Sequence, residues 1–180
     1  QGGPFSYPGD YFSAEAPEKY KIKGSFGHPV PVVDGKTQSS GAKASAIVLK
    51  KEFTDVKDLL CIDYTSAYST PSLDKLVRTF VYDRQGKGSF TVGDEFTANA
   101  PIRFETAITT QANWKIIDDT HLLLTTGTEQ MTVTIEASGK VAFTSETIEV
   151  NSPAYKRIGI SLKEQSKDGY IRLTMRTKQL

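Results

Sequence analysis

The chain has 180 residues, enough for one domain with a sizeable core. Its 22 Lys and Arg against 21 Asp and Glu leave a net charge of +1, which excludes a broad electrostatic attraction to nucleic acid or anionic lipid. The single Cys61 excludes an internal disulfide and a cysteine-based zinc site, and no apolar run approaches the length of a membrane span.

Residues 1–24 read as an irregular arm. Tyr7, Tyr11, Phe12 and Tyr20 are interleaved with Gly2, Gly3, Pro4, Pro8, Gly9 and Pro17, which break any long helix. A helical turn within Ala14–Tyr20 is the most the pattern allows. Large aromatics mostly supply buried area, so these are expected to pack the arm onto the rest of the domain. The competing reading has them line a sugar site.

Residues 25–180 read as a run of strands. In Ser25–Gln38, His28 lies between Gly27 and Pro29, neither of which suits a helix interior. Val30, Val32 and Val33 then lead into Asp34-Gly35, a strong hairpin signal. A titratable imidazole thus enters a strand from a loop, a common way for a scaffold to present chemistry. The plainer reading gives His28 a local hydrogen bond and no chemistry.

Ala44–Lys50 has apolar residues on both faces and reads as a central strand, as does Leu59–Tyr64. Cys61 falls within the latter as a buried, inert thiol. Leu76–Tyr82 follows, then a turn at Arg84–Gly88. Phe90 and Val92 alternate with polar residues, and so do Ile102, Phe104, Thr106 and Ile108, with the period of a half-buried strand. Asn113–Ile117 and His121–Thr125 flank Asp118-Asp119.

Two further hairpins are expected. One joins Glu129–Ala137 to Lys140–Thr144 across Ser138-Gly139. The other joins Arg157–Lys163 to Tyr170–Arg176 across Ser166–Gly169. Many short strands between turn signals predict an all-β fold: an antiparallel β-sandwich of roughly ten or more strands in two sheets.

Little in the chain specifies chemistry by pattern alone. It has no phosphate-cradling glycine loop, serine elbow or zinc-type histidine pair, so no cofactor is implied. Asp118-Asp119 and Asp94-Glu95 are adjacent in sequence, and adjacent strand residues face opposite ways, so neither is a glycosidase dyad. His121 reads as a partly buried strand residue and Asp63 as a cap on a strand end, so no metal is expected. Arg78, Arg103, Arg157, Arg172 and Arg176 suit an acidic polysaccharide in principle. Their alternation with apolar residues makes ordinary outward-facing charges the simpler account.

His28, the strand Val30–Val33, Asp34-Gly35 and Gln38 together resemble the start of the C-terminal β-domain in the heparinase II/III-like polysaccharide lyases. Gly2–Tyr7 resembles the segment by which that family's chain enters the domain. Asp63-Tyr64-Thr65-Ser66-Ala67-Tyr68 resembles the family's Asp-x-Thr-x-Ala-Tyr strand end, and Val77–Tyr82 and Phe90–Phe96 look like its next two strands. The resemblance covers most of the first 125 residues. From Met131 onward it is generic β-sequence.

The resemblance implies a secreted, periplasmic or cell-surface protein that acts on an acidic polysaccharide. A helical toroid, absent here, would supply most catalytic groups. The chain opens without an initiator Met, a signal peptide or a long helical pattern, and so reads as the C-terminal domain of a longer polypeptide. The resemblance further implies that His28 serves the shared cleft, as a proton-transfer group or a neutraliser of substrate charge, with Tyr7, Tyr11 and Gln38 as substrate-binding neighbours. Alone, the domain is expected to be catalytically silent. The alternatives are a non-catalytic carbohydrate-binding sandwich and a structural spacer.

Overall fold

The structure is a computed structural model and describes residues 9–148 and 154–178. Among these, one helical turn (α1, Ala16–Lys19) precedes twelve strands. They are β1 Val32–Val33, β2 Ile47–Phe53, β3 Lys57–Asp63, β4 Leu73–Asp83, β5 Ser89–Ile102, β6 Phe104–Thr110, β7 Asn113–Asp118, β8 His121–Thr126, β9 Glu129–Ala137, β10 Val141–Ile148, β11 Tyr155–Leu162 and β12 Ser166–Lys178.

The strands make two antiparallel sheets. The smaller has the order β1-β6-β11-β10; the larger runs β2-β3-β4-β5-β12-β9-β8-β7. The all-β sandwich expected from the alternation is therefore what forms.

Its core lies between the sheets and is built from alternating residues. Phe104, Thr106 and Ile108 of β6 face Leu76, Phe96, Leu173 and Ile135 of the large sheet, and Phe96 stacks on Phe104 with ring centroids 4.6 Å apart. Strand β11 is buried on both faces. Ile158 and Ile160 point into the core, while Arg157 and Gly159 alternate with them and are buried too. The segment that follows the arm covers that second face, with the Phe26 ring centroid 4.4 Å from the Arg157 guanidinium.

Four expectations need correction. First, Ala44–Lys50 is not a central strand. The strand begins later, at Ile47, lies at the edge of the large sheet and is exposed along its length. Apolar residues on both faces arise there because an eight-stranded sheet outreaches a four-stranded one. The edge is blunted by Lys50, Lys51 and a register shift between Val48 and Lys50.

Second, neither of the two late hairpins forms. Strand β9 pairs with β8 and β12, whereas β10 pairs with β11 in the other sheet. Strands β11 and β12 likewise lie in different sheets. Ser138-Gly139 and Lys163–Gln165 are therefore arches that carry the chain across the core. They run side by side, with the Lys163 N–H donating to the Lys140 carbonyl at 2.9 Å. An arch and a hairpin share one local signal, two alternating runs about a polar turn. Only the sheet in which each run finds its partner separates them.

Third, Arg78 and Arg157 do not face outward; they are 6% and 3% exposed. Fourth, Cys61 is half-buried and accepts a hydrogen bond from the Thr79 hydroxyl at 3.5 Å.

Other local expectations hold. Asp63 accepts from the Thr65 N–H at 3.0 Å and the Thr65 hydroxyl at 2.7 Å, capping the turn after β3. At the β7–β8 turn, Asp118 accepts from the Thr120 N–H at 2.8 Å and contacts His121 Nδ1 at 2.9 Å. The Thr120 amide first, then His121, hold the Asp118 carboxyl down at about 2, against an ordinary 3.8. A depressed carboxylate stabilises the fold above its unfolded-state value and loses that contribution as the pH falls through the folded one. The contribution of this turn is thus expected to disappear between about pH 4 and pH 2. Asp118→Asn is expected to flatten the acid limb of Tm against pH in that window. Identical acid slopes for the two proteins would refute it.

Candidate functional site

His28 sits where the arm meets the sandwich. A short 3-10 turn at Ser25–Gly27 ends on it, with the His28 N–H donating to the Ser25 carbonyl at 3.1 Å. Its ring Nε2 lies 3.0 Å from the Ile22 carbonyl. A carbonyl only accepts, so this nitrogen carries the proton and the tautomer is set by the arm.

The backbone that carries His28 is held from both sheets. Tyr155 donates to the Gly27 carbonyl at 2.6 Å, and Arg157 Nη2 to the Val30 carbonyl at 3.4 Å. Both side chains come from β11 of the small sheet. Arg78 Nη1 donates to the Pro29 carbonyl at 2.7 Å, and Tyr68 to the Pro31 carbonyl at 2.8 Å. These come from the large-sheet side. The His28 carbonyl accepts from the Val30 N–H at 2.8 Å. Every carbonyl from Gly27 to Pro31 is therefore engaged.

The sequence makes this necessary. Pro29 and Pro31 have no N–H, so the segment cannot join a regular ladder, yet its carbonyls, those of Gly27 and Pro31 on buried residues, must find donors. Only Val32–Val33 pairs with β6. Asp34-Gly35 then reverses the chain with φ of 50° and 75°, the left-handed pair that a tight two-residue turn requires. Asp34 ties the turn down by accepting from the Arg103 N–H at 2.9 Å.

Beneath the clamp is a buried charge network. Arg78 on β4 and Asp94 on β5 are directly opposite each other. They form a two-point ion pair, Nε to Oδ1 at 2.7 Å and Nη2 to Oδ2 at 2.8 Å. Tyr64 donates to Asp94 Oδ1 at 2.7 Å, and Thr106, from the other sheet, to Oδ2 at 2.7 Å. Burial and the nearby carboxylate push the Tyr64 phenol far above its ordinary range. Burial opposes the Arg78 charge, but Asp94 outweighs it and holds the guanidinium protonated. Arg157 is paired with Glu105 at 2.6 Å.

The other expected site residues fall as follows. Tyr11 is buried within the arm, its ring 5.6 Å from that of Tyr20. It also neighbours Tyr155, whose phenol is pushed up by burial and by Tyr11. Tyr11 thus approaches the His28 segment through Tyr155. Gln38 is half-buried, and its carbonyl accepts from the Ser25 hydroxyl at 3.4 Å, three residues before His28. Tyr7 and the entry segment Gly2–Tyr7 lie outside the described residues. Among the described residues, no group of three or more His, Cys, Asp or Glu side chains is placed to hold a metal ion.

Sequence reasoning missed the clamp itself: Arg78, Asp94, Tyr64, Tyr68, Thr106, Tyr155 and Arg157. A signal was present. Arg78 lies in the apolar row Leu76-Arg78-Phe80, and Asp94 in the row Val92-Asp94-Phe96 of the next strand. Opposite charges on the apolar rows of neighbouring strands mark a buried pair.

No protein-family model matches the sequence, and no curated protein is similar enough to match it. Solved structures do match. The heparan sulfate lyase HepC from Pedobacter heparinus superposes with a TM-score of 0.71 at 14% identity, over 99% of this chain and 28% of that one. The heparinase III BT4657 gene product gives 0.70 at 14%, over 98% and 28%. A further heparinase III gives 0.63 at 17%, over 82% and 23%. The chain therefore spans about a quarter of the length of these proteins. At such identities the likeness is one of fold: this chain folds like one part, about a quarter, of these heparinase structures.

Proposed function

We propose that this sandwich is the β-domain of a heparinase II/III-like polysaccharide lyase that cleaves glycans containing uronic acid by β-elimination. It supports a helical toroid in the same polypeptide and works outside the cytoplasm, secreted, periplasmic or at the cell surface. On this reading residues 1–24 lead from the toroid and 25–180 form the sandwich. The observation that carries the reading is superposition of almost the whole chain on a heparan sulfate lyase.

β-Elimination removes the proton α to the uronate carboxylate and expels the 4-linked oxygen. The carboxylate must be neutralised, and a base and an acid must be placed at carbon and oxygen. His28 is the group this domain contributes. Its clamped backbone favours that role, because a catalytic side chain must be held close to its productive position. Tyr7 and Gln38 contact the glycan around it, and Tyr11, buried in the arm, reaches the site only if the arm shifts when the glycan binds. The set is incomplete without the toroid, so the isolated domain is silent.

The test is elimination by the longer polypeptide on a panel of uronic-acid polysaccharides, followed by the absorbance of the unsaturated product. His28→Ala is expected to lower kcat by about 10²–10⁴-fold, the usual worth of a positioned acid–base group, while the protein stays folded. Full activity in the variant would make His28 structural. A wild type silent on every uronate would favour the second reading, a non-catalytic glycan-binding sandwich. That reading rests on Phe12 and Tyr170, which remain 74% and 38% exposed.

A further inference from the structure

The arch that replaces the second expected hairpin borders a cleft that His28 does not line. It lies on the outer face of the small sheet, over the row Val32, Glu105 and Ser161, which are cross-strand neighbours. Gly35 and Arg103 wall one side, and the arch Lys163–Gln165 the other; Asp34, beside Gly35, does not line the cleft. Its volume is about 620 Å3, within the range of about 300–1,000 Å3 typical of ligand sites. We propose that this cleft binds an anionic sugar unit, a carboxylate- or sulfate-bearing residue of a glycan chain.

The charges in the cleft carry the argument. Arg103 and Lys163 line it from opposite walls, and neither side chain makes a hydrogen bond or ion pair among the described residues. The Arg103 backbone N–H, not its guanidinium, holds Asp34. The guanidinium is therefore available to grip a carboxylate or sulfate with two parallel bonds. Glu105 also lines the cleft, but its charge is met by the buried Arg157 at 2.6 Å. Glu164 is the one lining carboxylate without such a partner, and it is exposed on the arch. With Arg157 counted against Glu105, the lining side chains leave a balance of one positive charge. The Ser161 hydroxyl and the Gln165 amide add neutral hydrogen-bonding groups suited to sugar hydroxyls.

This site goes beyond the lyase reading and does not involve His28. Binding is read on the 180-residue chain and elimination on the longer polypeptide, so one can fail while the other stands. The experiment is titration of the chain with three oligosaccharides of equal length, followed by calorimetry and by backbone amide NMR. The three are a heparan sulfate, an alginate and a neutral cello-oligosaccharide.

The expected result is saturable binding of an anionic oligosaccharide, with shifts centred on Gly35, Arg103 and Ser161. Binding of heparan sulfate alone assigns the anion as sulfate; binding of alginate as well assigns it as carboxylate. The double variant Arg103→Ala with Lys163→Ala is expected to weaken binding at least about tenfold, since charge-assisted bonds are the strong ones. Glu164→Gln is expected to tighten it, an effect that a merely structural role for the arch would not give. Equal binding of the neutral oligosaccharide, no shift with either anion, or undiminished binding by the double variant would overturn the proposal.

Discussion

Asp94→Ala is expected to cost about 3–5 kcal/mol of folding stability, the usual result of stranding a buried charge. Arg78 is 6% exposed and Asp94 1%, so water does not replace the lost carboxylate. The variant also strips acceptors from the Tyr64 and Thr106 hydroxyls, which each donate to Asp94 at 2.7 Å. The loss is not confined to the core. Arg78 also holds the Pro29 carbonyl, so a guanidinium seeking a new partner loosens the segment that carries His28.

The double variant Arg78→Met with Asp94→Leu separates the two effects. Replacing a buried ion pair by apolar groups of similar volume is often nearly neutral, so much of the stability is expected to return. The His28 segment nevertheless remains loose, because Pro29 has lost its donor. Urea unfolding measures the first quantity and amide hydrogen exchange across residues 27–33 the second. An Asp94→Ala variant less than 1 kcal/mol below wild type would refute the burial of an uncompensated charge.

Gly27→Ala is the second large effect. A Cβ at this position would lie 2.2 Å from the Lys21 carbonyl oxygen and 2.7 Å from the Ile22 Cα. Both are backbone atoms, so no side chain can turn aside, and the two stretches of chain must separate. Ile22 is also the residue whose carbonyl receives His28 Nε2, and Gly27 the one whose carbonyl receives Tyr155. One methyl group therefore disturbs both bonds that frame the imidazole.

A loss of about 1–3 kcal/mol is expected, typical of overpacking. The imidazole is also expected to lose its single tautomer, visible in the ring nitrogen shifts of His28. Gly139→Ala serves as the control, since an added Cβ there meets nothing within 4 Å. Its effect is expected to stay within about 0.5 kcal/mol. Equal stabilities and unchanged ring shifts for Gly27→Ala would show that the arm yields freely at this contact.

The fold class was legible from the chain because strand alternation is a local property. Phe104, Thr106 and Ile108, or Met131, Val133 and Ile135, announce a buried face whatever the partner strand. The Asp34-Gly35 turn was legible for the same reason, since two consecutive left-handed φ values are a demand made by four residues on themselves. The Asp63 cap and the helical limit on the arm are equally local.

The candidate site was legible only in its centre. His28 stands out between Gly27 and Pro29, but its clamp comes from residues 64 to 157 and could not be assembled from neighbours in sequence. The rows Leu76-Arg78-Phe80 and Val92-Asp94-Phe96 held a readable hint, the opposed charges among apolar neighbours. The reading of Arg78 as an outward charge failed because alternation gives the period of burial but not which face is buried.

What the sequence determined by itself is therefore every feature decided within a few residues: the strands, the turns, the caps and the exclusion of an internal disulfide. The tertiary structure alone decided which strands share a sheet, and so turned two expected hairpins into arches. It placed Ile47–Phe53 at an exposed edge and brought Arg103 and Lys163 to opposite walls of one cleft. The physical reason is that pairing and burial are settled by competition among all strands for partners and cover, whereas φ, ψ and side-chain alternation are settled where they stand.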